Sequence, residues 1–234
     1  MRRIGNESGM TIIETAVILS VLFILAGMMS PIVSESINTA RAVKAKSDAS
    51  MIAMGLLNLQ KDLGGDALSH GGAGTAVQAL GLADVLASEG AQPSVEDDAS
   101  EVSIAGFELL SRPGGRGPGS NRPPRRQWLE MSTGALDDHL LTNRRGYRDR
   151  RPGEYGGWNG PYLSAPVKGD PWGNQFLVNA VWLDGGGSAV DSLGNRRRAV
   201  FVVSAGTNGI LETPFEQPIT DARAQGDDIV VRIQ

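Results

Sequence analysis

The 234-residue chain contains no cysteine. A disulfide framework and thiolate metal ligation are thereby excluded, so an exported head would be held by packing or by a metal bound through oxygen. Histidine is nearly absent as well: His70 and His139 are the two in the chain. No Gly-x-Ser-x-Gly, His-Glu-x-x-His or phosphate-loop pattern accompanies them, which argues against an enzyme. Both histidines are expected in loops or on a helix surface. The formal net charge is −4, with no overall basic excess to suit a general nucleic-acid binder.

Charge is missing altogether from Thr15 to Ser34, where the sequence is almost continuously apolar. About 20 residues at ~1.5 Å each cover the ~30 Å hydrocarbon layer of a bilayer, so this block is expected to span a membrane once, as a helix. No other segment has that character. One membrane pass plus one soluble domain is the organisation the length allows.

Ahead of the block stands a short polar leader in which Arg2 and Arg3 would hold the N-terminus on the cytoplasmic side. Glu14 lies just inside the apolar block, where a lone carboxylate costs roughly 2.5–3.5 kcal/mol at the membrane centre. Cleavage after Gly9 would create an α-ammonium on Met10 at a similar depth, supplying a partner. An ordinary secretory signal peptide has a shorter apolar core of about 7–15 residues followed by a small-residue cleavage site, and a plain signal anchor gives Gly9 and Glu14 no role. The run Gly9-Met10-Thr11-Ile12-Ile13-Glu14 resembles the prepilin peptidase site of the type IV pilin-like superfamily. That resemblance implies cleavage after Gly9, N-methylation of Met10, and an assembly role for Glu14 against the N-terminus of a neighbouring subunit.

Beyond the membrane block the apolar residues thin into a stripe. Ala42, Ala45, Ala49, Ile52, Leu56, Leu59 and Leu63 alternate spacings of three and four, which places them on one helical face. Gly64-Gly65 is a helix stop, so one helix is expected from about Met10 to Leu63, kinked or loosened near Pro31. A two-stranded coiled coil is the other reading of the stripe.

The middle of the chain is weakly patterned. It suggests a short helix over Thr75–Ser88, a strand within Glu101–Leu109, an exposed Gly/Pro/Arg loop from Arg112 to Pro124, and a helix over Ala135–Thr142. Ten arginines face four acids between Arg112 and Arg151. That excess reads either as a solvated loop or as a docking surface for an acidic neighbour.

Near the C-terminus, Gly157-Trp158-Asn159-Gly160-Pro161-Tyr162-Leu163 precedes Asp170-Pro171-Trp172-Gly173-Asn174. Asp170, Pro171, Trp172 and Gly173 have turn chemistry: a side chain that bonds its own backbone, a fixed φ and a permissive exit. Strands are expected within Gln175–Leu183, Ala199–Ser204 and Asp228–Ile233, joined as an antiparallel meander through Gly185-Gly186-Gly187. These segments resemble the major pseudopilin of type II secretion systems. Its final loop binds calcium through carbonyls and acidic side chains, which implies calcium here at Asp227, Asp228 and Asn208, with Glu212, Glu216 and Asp221 as further acids.

The resemblances together imply an α+β, pilin-like fold. A long N-terminal transmembrane helix continues into a head and packs on a small antiparallel C-terminal sheet. Residues 1–9 would be a cleaved leader, 10–33 the transmembrane half of the helix and 34–63 its head-packing half. Residues 64–156 would be a variable connection, and 157–234 the turn and three-stranded sheet. The implied function is that of a structural filament subunit with no catalytic residues: a pseudopilin of a type II protein secretion system or, alternatively, a pilin of a type IV pilus. Implied partners are further copies of the chain, the prepilin peptidase, other pseudopilins and the inner-membrane assembly platform, with the head in the periplasm or, for a pilus, outside the cell.

Overall fold

The computed structural model describes residues 10–64, 83–95, 127–152, 156–183, 198–220 and 222–233. The leader with Gly9, most of the expected helix over 75–88, the expected strand over 101–109, the loop over 112–124, Gly185 to Gly187 and Asp221 lie outside the described residues. The chain divides into two compact units, one ending at Arg41 and the other running from Ala42.

Helix α1 covers Ile12–Leu63 and is helical through Pro31. In the first unit its apolar side chains are bare: Val17 is 56% exposed and Phe23 76%. The apolar window has a mean hydropathy of 2.5 and none of it is buried, so this helix is long and apolar enough to cross a membrane.

In the second unit α1 becomes half-buried. Ala45, Ala49, Ile52, Leu56 and Leu59 are fully buried, with Ala42 and Leu63 at the ends of the stripe partly so. Burying Ile52, Leu56 and Leu59 contributes roughly 4–9 kcal/mol before conformational entropy is counted. Gly55 lets the helix come close, since a Cβ there would touch Leu140 and Leu163 at 3.4 Å. The helix ends at Leu63, and Gly64 adopts φ +77° while its N–H reaches the Gln60 carbonyl at 2.9 Å. That is a left-handed helix cap, which glycine makes without steric cost.

The sheet has five strands in the order β3-β1-β4-β5-β7. They are β1 (Val85–Ala87), β3 (Thr133–Ala135), β4 (Leu177–Val178), β5 (Phe201–Ser204) and β7 (Ile229–Arg232); β2 (Ser94–Val95) and β6 (Ile210–Leu211) form a separate parallel pair. β4, β5 and β7 are the antiparallel meander. The sheet is larger than the three strands expected, and mixed, because β1 joins β4 antiparallel and carries β3 parallel on its other edge. Val85 to Ala87 therefore form a strand where a helix was expected, and the middle of the chain supplies two strands. Residues 180–182 turn as a single 3-10 step instead of extending β4, and helix α3 is confined to Leu136–Leu140.

Side chains of β5 alternate between two cores, as a period of two demands. Val202 faces the cluster built on α1, with Leu56, Leu136, Leu140 and Phe176. Phe201 and Val203 face a second cluster with Trp128, Leu211 and Phe215. Trp128, on the short helix α2 (Gln127–Glu130), meets Phe215 edge-on at 4.9 Å and donates its indole N–H to the Thr213 carbonyl at 2.9 Å. Both faces of β5 are thus covered, which is why all four of its residues are buried.

Candidate functional site

Three groups of residues carry the expected chemistry, and each is positioned by local structure. At the start of α1, the Thr11 N–H donates to Glu14 Oε2 at 3.2 Å and the Glu14 N–H donates to Thr11 Oγ1 at 3.2 Å. This reciprocal pair is a capping box, satisfying two donors that a helix start leaves open. The Thr-x-x-Glu spacing of Thr11 and Glu14 is the sequence signal for this capping role, which the charge of Glu14 alone does not reveal. Met10 stands immediately before the cap and is 68% exposed.

The second group fastens the turn and the aromatic segment to the fold. Asp170 is buried, and its Oδ1 accepts the N–H groups of Trp172 at 3.0 Å and Asn174 at 2.9 Å. Its Oδ2 accepts the Ser204 hydroxyl at 2.6 Å, which ties the turn to the end of β5. Pro171 and Trp172 fill the corner, Gly173 leaves it at φ +96°, and its N–H closes on the Asp170 carbonyl at 2.9 Å. Asp62, in the last turn of α1, accepts the Tyr162 hydroxyl at 3.0 Å, lies 3.7 Å from Arg150, and offers its carbonyl to the Gly157 N–H at 2.9 Å. Burial pushes the Tyr162 phenol up to about 12, so it stays a donor. These groups brace the turn and the aromatic segment against α1 and β5.

The third group is the acidic loop. Asp227 Oδ2 accepts the N–H groups of Thr207 at 2.7 Å and Asn208 at 3.1 Å. Asp228 Oδ2 accepts those of Glu212 at 3.0 Å and Thr213 at 2.6 Å. Glu212 Oε2 in turn accepts the Asp227 N–H at 2.9 Å, so the two ends of the loop clasp each other. A Cβ on Gly226, which sits at φ +59°, would overlap the Glu212 carboxylate. Asp228 is 6% exposed and its Oδ1 is buried without a hydrogen-bond partner. Burial pushes its carboxyl up to about 6. An orphaned carboxylate oxygen among oxygen-only donors fits a hard cation such as calcium. Asn208 fits less well, since its Oδ1 already accepts the Ile210 N–H at 2.7 Å. Among the described residues no three His, Asp or Glu side chains form a ligand group, so backbone carbonyls would have to complete the shell.

His139 departs from its expected surface position: it is fully buried on α3. Its Nδ1 lies 2.6 Å from the Tyr147 hydroxyl and its Nε2 accepts from Arg145 Nε at 3.3 Å. Burial first, and the Arg145 charge second, lower its pKa to about 4, so the ring is neutral at pH 7. Its carbonyl accepts the Trp158 indole N–H at 3.0 Å. The burial comes from residues later in the chain that no local pattern linked to it. Arginines near this network are engaged in the same way: Arg145 with His139, Arg150 with Asp62, and Arg144 with Asp138 at 3.8 Å. No protein-family model, curated protein or solved structure matches this chain.

Proposed function

We propose that the chain is a structural subunit of a type IV filament-like assembly, a pseudopilin of a type II protein secretion system. The observation that carries this reading is the start of α1. Met10 directly precedes a capped helix whose apolar window is unburied, and a carboxylate sits four residues on. Hydrogen bonds from Thr11 cap the helix through Glu14 but do not neutralise its charge. A new α-ammonium on Met10, generated by cleavage after Gly9, would do so once helices from different subunits lie side by side. The bare apolar helix then serves as inner-membrane anchor and filament core, the sheet-bearing head lies in the periplasm, and the chain works by assembly, without catalysis.

In the same reading Asp228, through Oδ1, and Asp227 would hold calcium, with Asn208 and loop carbonyls adding oxygens. The ion would supply positive charge at Asp228 Oδ1, the one buried carboxylate oxygen among the described residues that lacks a donor.

Two substitutions test the assignment. Gly9→Ala should block maturation, and an intact mass showing normal cleavage would remove the proposed site. Glu14→Gln keeps a side-chain carbonyl for the cap and loses the charge, so it should be cleaved yet fail to assemble. Filaments of Glu14→Gln in normal number would leave capping as the whole role of Glu14.

A further inference from the structure

The chain contains two Asn-Gly steps, Asn159-Gly160 and Asn208-Gly209. In such a step the side-chain amide lies within reach of the next backbone nitrogen, and glycine puts no β-carbon in the way. Asn208 is exposed and stands in the turn between β5 and β6. Its Oδ1 accepts the Ile210 N–H at 2.7 Å, so the side chain is folded forward over the peptide that links it to Gly209. A side chain folded in this way brings Cγ over the Gly209 nitrogen. The same bond draws electron density through Oδ1 and makes Cγ a better electrophile. Among the described residues the Gly209 N–H has no acceptor to occupy it. The backbone ahead of it is fixed, since the Thr207 and Asn208 N–H groups both donate to Asp227 Oδ2. Reacting atoms held near their attack geometry give up little further freedom on reaction.

Asn159 is exposed too, but its surroundings differ. Among the described residues its side chain makes no hydrogen bond that would fold it over Gly160, while its backbone N–H donates to the Tyr162 hydroxyl at 3.0 Å. The Trp158 ring is seated against Gly160, where an added Cβ would overlap it. The indole N–H of Trp158 is in turn held by the His139 carbonyl at 3.0 Å. The Asn159 side chain therefore has little room to fold over the next peptide, and nothing draws it there.

We propose that Asn208 is a site of spontaneous deamidation, favoured by its turn, through which the acidic loop loosens as the protein ages. The Gly209 nitrogen attacks Asn208 Cγ, a C–N bond forms and a cyclic imide closes. The side-chain nitrogen leaves as ammonia, taking the proton that Gly209 gives up. Water then adds to one carbonyl of the imide and breaks a C–N bond, leaving aspartate or isoaspartate at 208. Either product sets a new carboxylate beside Asp227, whose own carboxylate already meets the Asn208 backbone, and like charges at that range repel. Isoaspartate also adds a methylene to the backbone ahead of the Gly209 carbonyl, which accepts the Ser94 N–H at 3.0 Å. That shifts β6 against β2, with which it pairs through Ser94 and Val95.

The test ages the full-length, detergent-solubilised chain in chelator at mildly alkaline pH and follows both Asn-Gly steps by peptide mapping with mass spectrometry. In the folded chain, conversion at Asn208 should outrun that at Asn159 roughly tenfold or more. In urea, where neither turn persists, the two rates should converge. Folded-state rates that already agree, or an Asn208 that converts only in urea, would overturn the proposal. The melting temperature of the aged chain should fall in step with the fraction converted at 208. Asn208→Gln, whose longer side chain closes the corresponding ring far more slowly, should keep its own starting value over the same period. Conversion at Asn208 with an unchanged melt, or an equal drift in Asn208→Gln, would overturn the loosening of the loop.

Discussion

Acid titration of the head should show two opposing buried groups that nearly cancel. His139 is held neutral, its pKa lowered from 6.5 to about 4, so between those values the unfolded chain binds a proton that the folded chain refuses. Stability from this group is fully present above about pH 6.5 and falls as pH drops toward 4. The gap of about 2.5 pH units at ~1.4 kcal/mol each amounts to about 3 kcal/mol lost. Asp228 behaves oppositely. With its carboxyl raised from 3.8 to about 6, the folded chain takes up the proton first, and acidification from 6 to 3.8 adds about 3 kcal/mol. The wild-type chain should therefore keep a nearly level stability between pH 6 and 4. Each substitution exposes the other group: His139→Gln should gain about 3 kcal/mol on acidification, and Asp228→Asn should lose about as much. The assay is urea unfolding of the detergent-solubilised chain in chelator at a series of pH values, followed by tryptophan fluorescence. Only the slope of stability against pH is compared, so the baseline cost of each substitution drops out. Slopes for both variants matching the wild type would refute the assignment of these protons, as would His139→Gln becoming more acid-labile.

Two further outcomes follow from the fastened loops. Asp170→Ala strands three donors, from Trp172, Asn174 and Ser204, and should cost about 3–5 kcal/mol, against about 1 kcal/mol for Ser204→Ala; equal costs in urea unfolding would mean that Asp170 does not organise the turn. Calcium chelation should lower the melting temperature of the wild-type chain but not of Asp227→Ala, and a wild-type melt that ignores chelator would dismiss the ion.

What the sequence made legible is what depends on neighbours a few residues away. The spacing from Ala42 to Leu63 located the buried side of α1, and glycine at 64 located its end, because helical periodicity and capping are local chemistry. The apolar, valine- and isoleucine-rich runs in Ala199–Ser204 and Asp228–Ile233 likewise marked two strands of the meander. Val85 to Ala87 fell inside an expected helix because Val77, Leu80, Leu82, Val85 and Leu86 are closely spaced apolar residues with no strict period of either kind. Their strand is only three residues long and exists through pairing with Thr133–Ala135, 48 positions away. His139 was misplaced for the same kind of reason: its burial depends on Tyr147 and Trp158, which come from later turns of the chain. At the proposed site the carboxylate of Glu14 stood out by its cost in an apolar run. The orphaned oxygen of Asp228 did not, since it arises only when the loop folds back on itself.

The central claim is that α1 becomes a filament helix when the leader is removed and Glu14 meets a new positive end. N-terminal sequencing with mass analysis of the membrane form, from cells that express the prepilin peptidase, tests it most directly. The account predicts a chain that begins at Met10 and carries a methyl group on its amine. A chain that still begins at Met1, or one cut after the apolar block, would contradict it.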